Sequence, residues 1–250
     1  MIEIINSGER ILLDKETPLM IARHFCAYKF AKDYVSNKSV LDIGCGEGYG
    51  ANYLARFAKE VVGLDYDEAI INYARNKYPK TNLRFCKIEV NGLNSMDNKF
   101  DIICSFQVIE HIRDTEAFLR NINHLLKDNG IFICSTPNKK DASPRSNVPL
   151  NKFHIKEYLW GEFKELLELV FKEVDILGLK RGRGLSFYRR LKKIGLFNFL
   201  PIRMNPVKRF YGRIDCDNFI IIKDNIDSAL DFIAVCKKIA FLYDTIRNKK

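Results

Sequence analysis

Short apolar runs alternate along the chain with stretches whose apolar residues recur every three or four positions. Residues 40–44 form an apolar run ending in Gly44, and a helical stretch from about 49 to 58 follows. Residues 61–65 form a second run. Asp67 then stands where an N-cap would, ahead of Ile70, Ile71 and Ala74 on one helical face. Third and fourth runs lie at 83–88 and 101–106. Asp114 precedes Phe118, Ile122, Leu125 and Leu126 at helical spacing, and a turn at 127–130 leads into a fifth run at 131–135. Beyond a linker at 136–151, Leu159, Phe163, Leu166, Leu167 and Val170 mark another helix. Strands at 174–179 and 232–236 complete the pattern. Continuous apolar strands separated by amphipathic helices predict an α/β protein: a mostly parallel, seven-stranded sheet with helices on both faces. Before the first strand, Thr17-Pro18 pairs a cap with a first-turn proline and opens a helix carrying Ile21, Phe25 and Tyr28. That segment is expected to cover the sheet.

A chain of 250 residues, 47% hydrophobic, can bury one substantial core. The expected organisation is one domain, with an N-terminal cover over 1–36, a core over 37–179, an insertion over 180–230, and the last strand and tail over 231–250. No stretch combines the length and the lack of charge that a membrane span requires. Residues 1–15 already hold Glu3, Glu9, Arg10 and Asp14, unlike a secretory leader. Seven cysteines include no CxxC pair and several fall in apolar runs, which predicts buried thiols in a reducing, cytoplasmic compartment. The net charge of +10 is concentrated. Eleven Lys and Arg residues and no acid lie between Asp175 and Asp215, more positive charge than the whole chain carries net. Any anionic partner is therefore expected at this segment.

In open α/β sheets, ligands bind beyond the carboxyl ends of the strands, at the switch point beside the first one. The sequence there carries Gly44, Cys45, Gly46 and Gly48, and glycines allow backbone N–H groups to approach an anionic or polar ligand closely. Asp65 follows Gly46 by 19 residues and ends the second strand, where a carboxylate can accept both ribose hydroxyls. The spacing Gly46-x-Gly48-x-x-Ala51 also fits a loose nicotinamide-cofactor fingerprint.

The stretches VLDIGCGEGYG (40–50), VVGLDYDEAIINYAR (61–75), FDIICSFQVIEHI (100–112) and LLKDNGIFICSTPN (125–138) together resemble class I S-adenosylmethionine-dependent methyltransferases, which have a Rossmann-like fold. The resemblance implies that Asp42, Gly44, Cys45, Gly46 and Gly48 surround the methionine end of the cofactor and that Asp65, with Tyr66 beside it, takes the ribose. Glu89 would reach the adenine amine, at a place where the family more often has Asp, and Val90 would offer its backbone. Ser105 and Phe106 would line the cofactor's other side. Tyr28 either closes over the cofactor or serves as a core residue.

His111 matches an EH motif of that family and follows the fourth strand on the ligand side. An acceptor hydroxyl gains from a base near neutral pH, a role that suits histidine. Glu110 stands beside it. His154 is expected to open a helix in a stretch that runs to Tyr158. A similar FHxxE stretch occurs in methyltransferases encoded with bacterial surface-polysaccharide genes, so His154 and Tyr158 would line the acceptor site. Glu110, His111 and His154 also resemble the metal ligands of small-RNA 2′-O-methyltransferases. The first acid of that quartet falls at Gln107, an uncharged amide, so no metal is expected.

If the sixth strand runs parallel to the fifth, the basic insertion starts beside the active site, and Arg181 and Arg183 would meet an anionic acceptor. A basic helix resting on acidic lipid, with the protein at the inner face of the membrane, and a purely solvated face are the other readings. The leading expectation is O-methylation of a surface-glycan precursor, at a sugar hydroxyl or a phosphate-type substituent. The stretches GERILLDKETPL and DSALDFIAVCKK share that likeness. RNA 2′-O-methylation, a non-catalytic cofactor-binding subunit and a nicotinamide-dependent oxidoreductase rank lower, and no DNA partner is expected.

Overall fold

The computed structural model describes residues 10–195, 197–201 and 203–238. The chain opens with α1 (Pro18–Ala31), capped by the Thr17 side chain at the Met20 amide. It then alternates through β1 (Ser39–Ile43), α2 (Tyr49–Leu54), β2 (Glu60–Asp65), α3 (Glu68–Lys77), β3 (Leu83–Lys87), β4 (Phe100–Phe106), α4 (Thr115–Leu125) and β5 (Leu126–Pro137). The short α5 (Lys139–Ala142) and α6 (Trp160–Glu168) lead to β6 (Phe171–Arg181). The insertion contributes α7 (Arg183–Ile194), α8 (Pro206–Tyr211) and β7 (Phe219–Ile222), and β8 (Asp231–Lys238) follows. Asp67 and Asp114 cap α3 and α4 as their positions predict.

The sheet has eight strands in the order β3-β2-β1-β4-β5-β8-β6-β7. Strands β1 to β5 pair in parallel, whereas β8 runs antiparallel to both neighbours. β6 therefore points the same way as β5, and its carboxyl end lies at the glycine-turn end of the sheet. The eighth strand, β7, is absent from the sequence expectation. It is a four-residue antiparallel edge on the last residues of β6, an apolar run too short to stand out between Asp215 and Asp217 on one side and Asp224 on the other. The helix expected over 49–58 stops at Leu54, with Ala55 as its C-cap. The turn expected at 127–130 is absorbed into β5 as an irregularity: Asn129 takes a positive φ and the register against β4 shifts between Phe100 and Ile102.

Strand side chains alternate between two apolar layers, as the pleat requires. Leu41, Ile103, Phe132 and Phe232 face α4 and α6, while Val40, Ile102, Ile133 and Ile233 face α1, α2 and α3. A third cluster joins α1 to the insertion, where Ala22 and Cys26 meet Leu179, Leu185, Ile214 and Phe219. The N-terminal cover is thus wedged between the sheet and the insertion. The seven cysteines all lie among the described residues and are all free thiols. No helix among the described residues is long and apolar enough to cross a membrane.

Candidate active site

The strand order reverses between β1 and β4, and the loops leaving their carboxyl ends build the site. The chain leaves β1 through Gly44, Gly46 and Gly48, at φ of 75°, 52° and 86°. These are left-handed values that glycine adopts without a Cβ penalty. The turn is tied to β2, with Gly44 and Cys45 N–H both bonded to the Leu64 carbonyl and Gly46 N–H to the Asp65 carboxylate at 3.0 Å. A Cβ on Gly44 would lie 2.4 Å from Val108, and one on Gly48 would lie 2.6 Å from the Phe85 ring. At Gly46 nothing stands within 4 Å, so this turn presents open space beside a backbone amide.

Two cavities meet here. The larger, of about 680 Å³, is lined by Gly44, Gly46, Asp65, Tyr66, Glu89, Val90 and residues of the loop after β4. The second, of about 280 Å³, is lined by Tyr28, Cys45, Phe106, Glu110, His154 and Glu157, among others. Arg10, Gly44, Gly46, Gln107 and His111 border both.

Several expected site residues are placed differently from the expectation. Asp42 is fully buried behind the turn, its carboxylate accepting the Tyr28 hydroxyl at 3.1 Å. Burial, helped by the nearby Asp65 charge, pushes its carboxyl up to about 7 against that hydrogen bond. Tyr28 lines the second cavity, yet is 4% exposed and packs edge-on to Phe106 as a core residue. Gly48 starts α2 rather than lining either cavity, and Ser105 is buried without reaching them.

Tyr158 is a core residue, not an acceptor contact. Its ring packs on Phe163, its hydroxyl bonds Thr115, and it is 1% exposed. His154 does not open a helix, because α6 starts at Trp160; it belongs to the loop before it. Arg183 is exposed on the first turn of α7 and lines neither cavity. Arg181 likewise lines neither and pairs with Asp141 at 3.6 Å.

The loop holding His154 is pinned to the segment holding His111. Ile155 N–H bonds the Glu110 carbonyl at 2.7 Å, and His111 Nδ1 lies 2.9 Å from the Phe153 carbonyl. A carbonyl only accepts, so Nδ1 carries the hydrogen and Nε2 is the basic nitrogen. His154 Nδ1 similarly donates to Glu157 at 2.8 Å, while its Nε2 accepts from the Asn151 amide. The two imidazoles meet edge to face at 5.0 Å. Glu110, His111 and His154 present ligand atoms within 4.8 Å of one another. Glu110 is 1% exposed and accepts from Thr136, and burial raises its carboxyl to about 8.

Sequence reasoning missed Arg10, which bridges the mouth of the larger cavity by bonding Tyr66 and Asp67. It missed Asn151 and Glu157 as supports of His154, and Arg23, which forks onto Asp231 at 2.7 Å. His24, to which it assigned no chemistry, lines the second cavity, and burial lowers its pKa to about 4. Arg10 and Arg23 gain their roles from partners distant in sequence, whereas Asn151 and Glu157 each act on His154 from three residues away, a local pattern that the sequence reading passed over.

A glycine turn at a switch point, an acid ending the second strand and a cavity between them define an α/β enzyme that binds an adenosine-bearing cofactor. Comparison with known proteins specifies it. Residues 35–171 match the methyltransferase-domain family. A "probable S-adenosylmethionine-dependent methyltransferase" of Mycolicibacterium smegmatis is 40% identical over 182 residues, 72% of this chain and 70% of that protein. A ubiquinone biosynthesis O-methyltransferase of Pelagibacter ubique is 29% identical, over 61% of this chain and 67% of its own. The N-methyltransferase NodS of Bradyrhizobium japonicum, solved with S-adenosyl-L-homocysteine, shares the fold at a TM-score of 0.58 and 15% identity, over 90% of this chain and 89% of that one. The chain belongs to the S-adenosylmethionine-dependent methyltransferases.

Two outcomes follow from this geometry. Asp65→Ala removes the acceptor of the Gly46 amide and the carboxylate facing the cleft. A hydrogen bond to a charged group is worth about 1.5–3 kcal/mol, so affinity for S-adenosylhomocysteine should fall roughly ten- to a hundredfold by calorimetry. Unchanged affinity would place Asp65 outside the binding site. Second, acids with raised folded-state pKa values keep their protons in the fold. Asp42 and Glu110 therefore favour the folded state fully below about pH 4, and that contribution is lost as pH rises through about 7 and 8. The melting temperature of the ligand-free protein should fall from pH 6 to 9, and Glu110→Gln should flatten the fall. An unchanged slope would show that Glu110 ionises without penalty.

Proposed function

We propose that the protein transfers the methyl group of S-adenosylmethionine to an oxygen of a small-molecule acceptor, and that the acceptor is a surface-glycan precursor. The observation that carries the oxygen-transfer reading is the position of His111, which borders both cavities and has its basic Nε2 set by the Phe153 carbonyl. The cofactor supplies an activated methyl group on a sulfonium. Gly44, Gly46, Asp65, Tyr66, Glu89 and Val90 hold its nucleoside in the larger cavity, and the acceptor enters the second. A hydroxyl must lose its proton as it gains a methyl group, and His111 takes that proton. Most of the rate comes from orientation, because the methyl group is already activated. Phe106, Tyr28, Glu110 and His154 shape the acceptor side. The Pelagibacter ubique relative, named for O-methylation, agrees with an oxygen acceptor.

Metal-independent turnover belongs to the same reading. Glu110, His111 and His154 offer three ligands, but the neighbouring Gln107 is a neutral amide whose side chain bonds Ser135.

Mass spectrometry of glycan precursors incubated with enzyme and labelled cofactor tests the acceptor; no labelled glycan in a panel that includes nucleotide-linked and lipid-linked sugars would remove the glycan assignment. His111→Ala should keep its affinity for S-adenosylhomocysteine and lose about 10²- to 10⁴-fold in kcat, the reach of general acid–base catalysis. Equal losses of cofactor affinity and stability would instead make His111 a packing residue. EDTA should leave turnover unchanged; activity that vanishes with EDTA and returns with magnesium, manganese or zinc would make the three-residue cluster a metal centre.

A further inference from the structure

The insertion carries a third cavity, of about 330 Å³, apart from the two already described. Lys180 and Arg181, at the end of β6, and Arg189, Arg190 and Lys193, on α7, contribute five positive charges to its wall, and Ser186 contributes a hydroxyl. No acid lines it. Arg181 has one counter-charge, Asp141 at 3.6 Å, which it shares with Arg23 at 3.9 Å. Among the described residues the other four cations form no ion pair. Cations on a solvated helix face ordinarily diverge into water. Here two elements bring them around one concavity, so their mutual repulsion rises above that of a spread-out face, and a bound anion relieves it. Burial and the neighbouring Arg189 lower the Arg181 pKa, in keeping with crowding of like charge.

The basic cavity is contiguous with the acceptor side of the active site. Arg23 lines the second cavity, forks onto Asp231 and donates to the Leu230 carbonyl, while Leu230 lines the basic cavity. The sequence Arg23, Asp141, Arg181 forms the wall between the two.

We propose that the basic cavity is a binding site for a phosphate or pyrophosphate group carried by the acceptor. The assignment rests on the methyl-transfer reading for the identity of the neighbouring cavity, but the site itself does not. Guanidinium groups bind phosphate oxygens through paired, charge-assisted hydrogen bonds, and lysines add point charge. Five cations match the multiple negative charge of a pyrophosphate better than that of a carboxylate. The same chemistry can come from a soluble phosphorylated sugar or from a lipid headgroup, since Phe187 and Ile194 on α7 are also exposed.

Calorimetry of the full chain with inorganic pyrophosphate tests the site. Binding is expected in the micromolar to low-millimolar range and should weaken as sodium chloride is raised. The triple substitution Arg189→Ala, Arg190→Ala and Lys193→Ala, all at exposed positions, should weaken it tenfold or more while leaving S-adenosylhomocysteine affinity unchanged. Co-sedimentation with phosphatidylglycerol vesicles separates the sources. Sedimentation that pyrophosphate reverses and the triple variant lacks assigns the site to lipid-borne phosphate; pyrophosphate binding without sedimentation assigns it to a soluble acceptor. Absence of pyrophosphate binding at millimolar concentration, or equal binding by the triple variant, overturns the proposal. Failure of the wild-type chain to bind S-adenosylhomocysteine would instead sink the methyl-transfer reading and leave the pyrophosphate result standing.

Discussion

The site depends on a short backbone ladder between the turn after β1 and the end of β2. Two amides on the Leu64 carbonyl and one on Asp65 hold a segment whose left-handed glycines would otherwise be free to wander. Side chains from two other strand ends fill the space behind it, Phe85 from β3 and Val108 after β4. The turn is therefore clamped by the ends of β2, β3 and β4 together, and its one open side faces the cavities. Rigid positioning of amide groups follows from that clamp, since interiors packed at this density yield little.

Burial of acids behind the glycine turn and beside the second cavity is the second organising feature. Asp42, Glu110 and Glu157 are all nearly inaccessible, and one oxygen each of Glu110 and Glu157 has no hydrogen-bond partner among the described residues. Unpartnered buried oxygens cost folding energy, and Ser105 and Asn123 each carry one as well, away from both cavities. Two of the acids border the histidines directly. Glu157 fixes the tautomer of His154, while the backbone of Glu110 anchors the loop that fixes the tautomer of His111.

Much of the fold could be read from the sequence, because the parallel strands are continuous apolar runs and Asp67 and Asp114 cap the helices that follow. The glycine-turn wall of the larger cavity was readable for the same reason: Gly44, Gly46 and Asp65 lie at fixed offsets within adjacent elements. The second cavity was not. His154 and His111 are brought together by a loop whose shape depends on Asn151 bonding its own backbone, a pattern too common to single out. Tyr158 carries a polar group that suggested a surface role, yet Thr115, far away in sequence, satisfies its hydroxyl inside the core. Arg183 and Arg189 look alike in a charge count and are both exposed, and only the direction in which α7 leaves β6 puts Arg189 on a cavity wall and Arg183 outside it.

Placing β8 between β5 and β6 has a consequence for the nascent chain. As residues leave the ribosome in order, β1 to β5 can assemble into a parallel half-sheet, but β6 and β7 can find no place beside it. Among the described residues, the strand that hydrogen-bonds them to the β5 edge emerges after both of them. Until then β5 presents an open apolar edge, and β6 and β7 can meet the rest of the chain only through side-chain packing, Leu179 and Phe219 on α1 and Phe171 on Phe132. Exposed edges of this kind template aggregation. Between the release of β5 and the arrival of β8, the nascent chain therefore carries an edge that the finished sheet conceals.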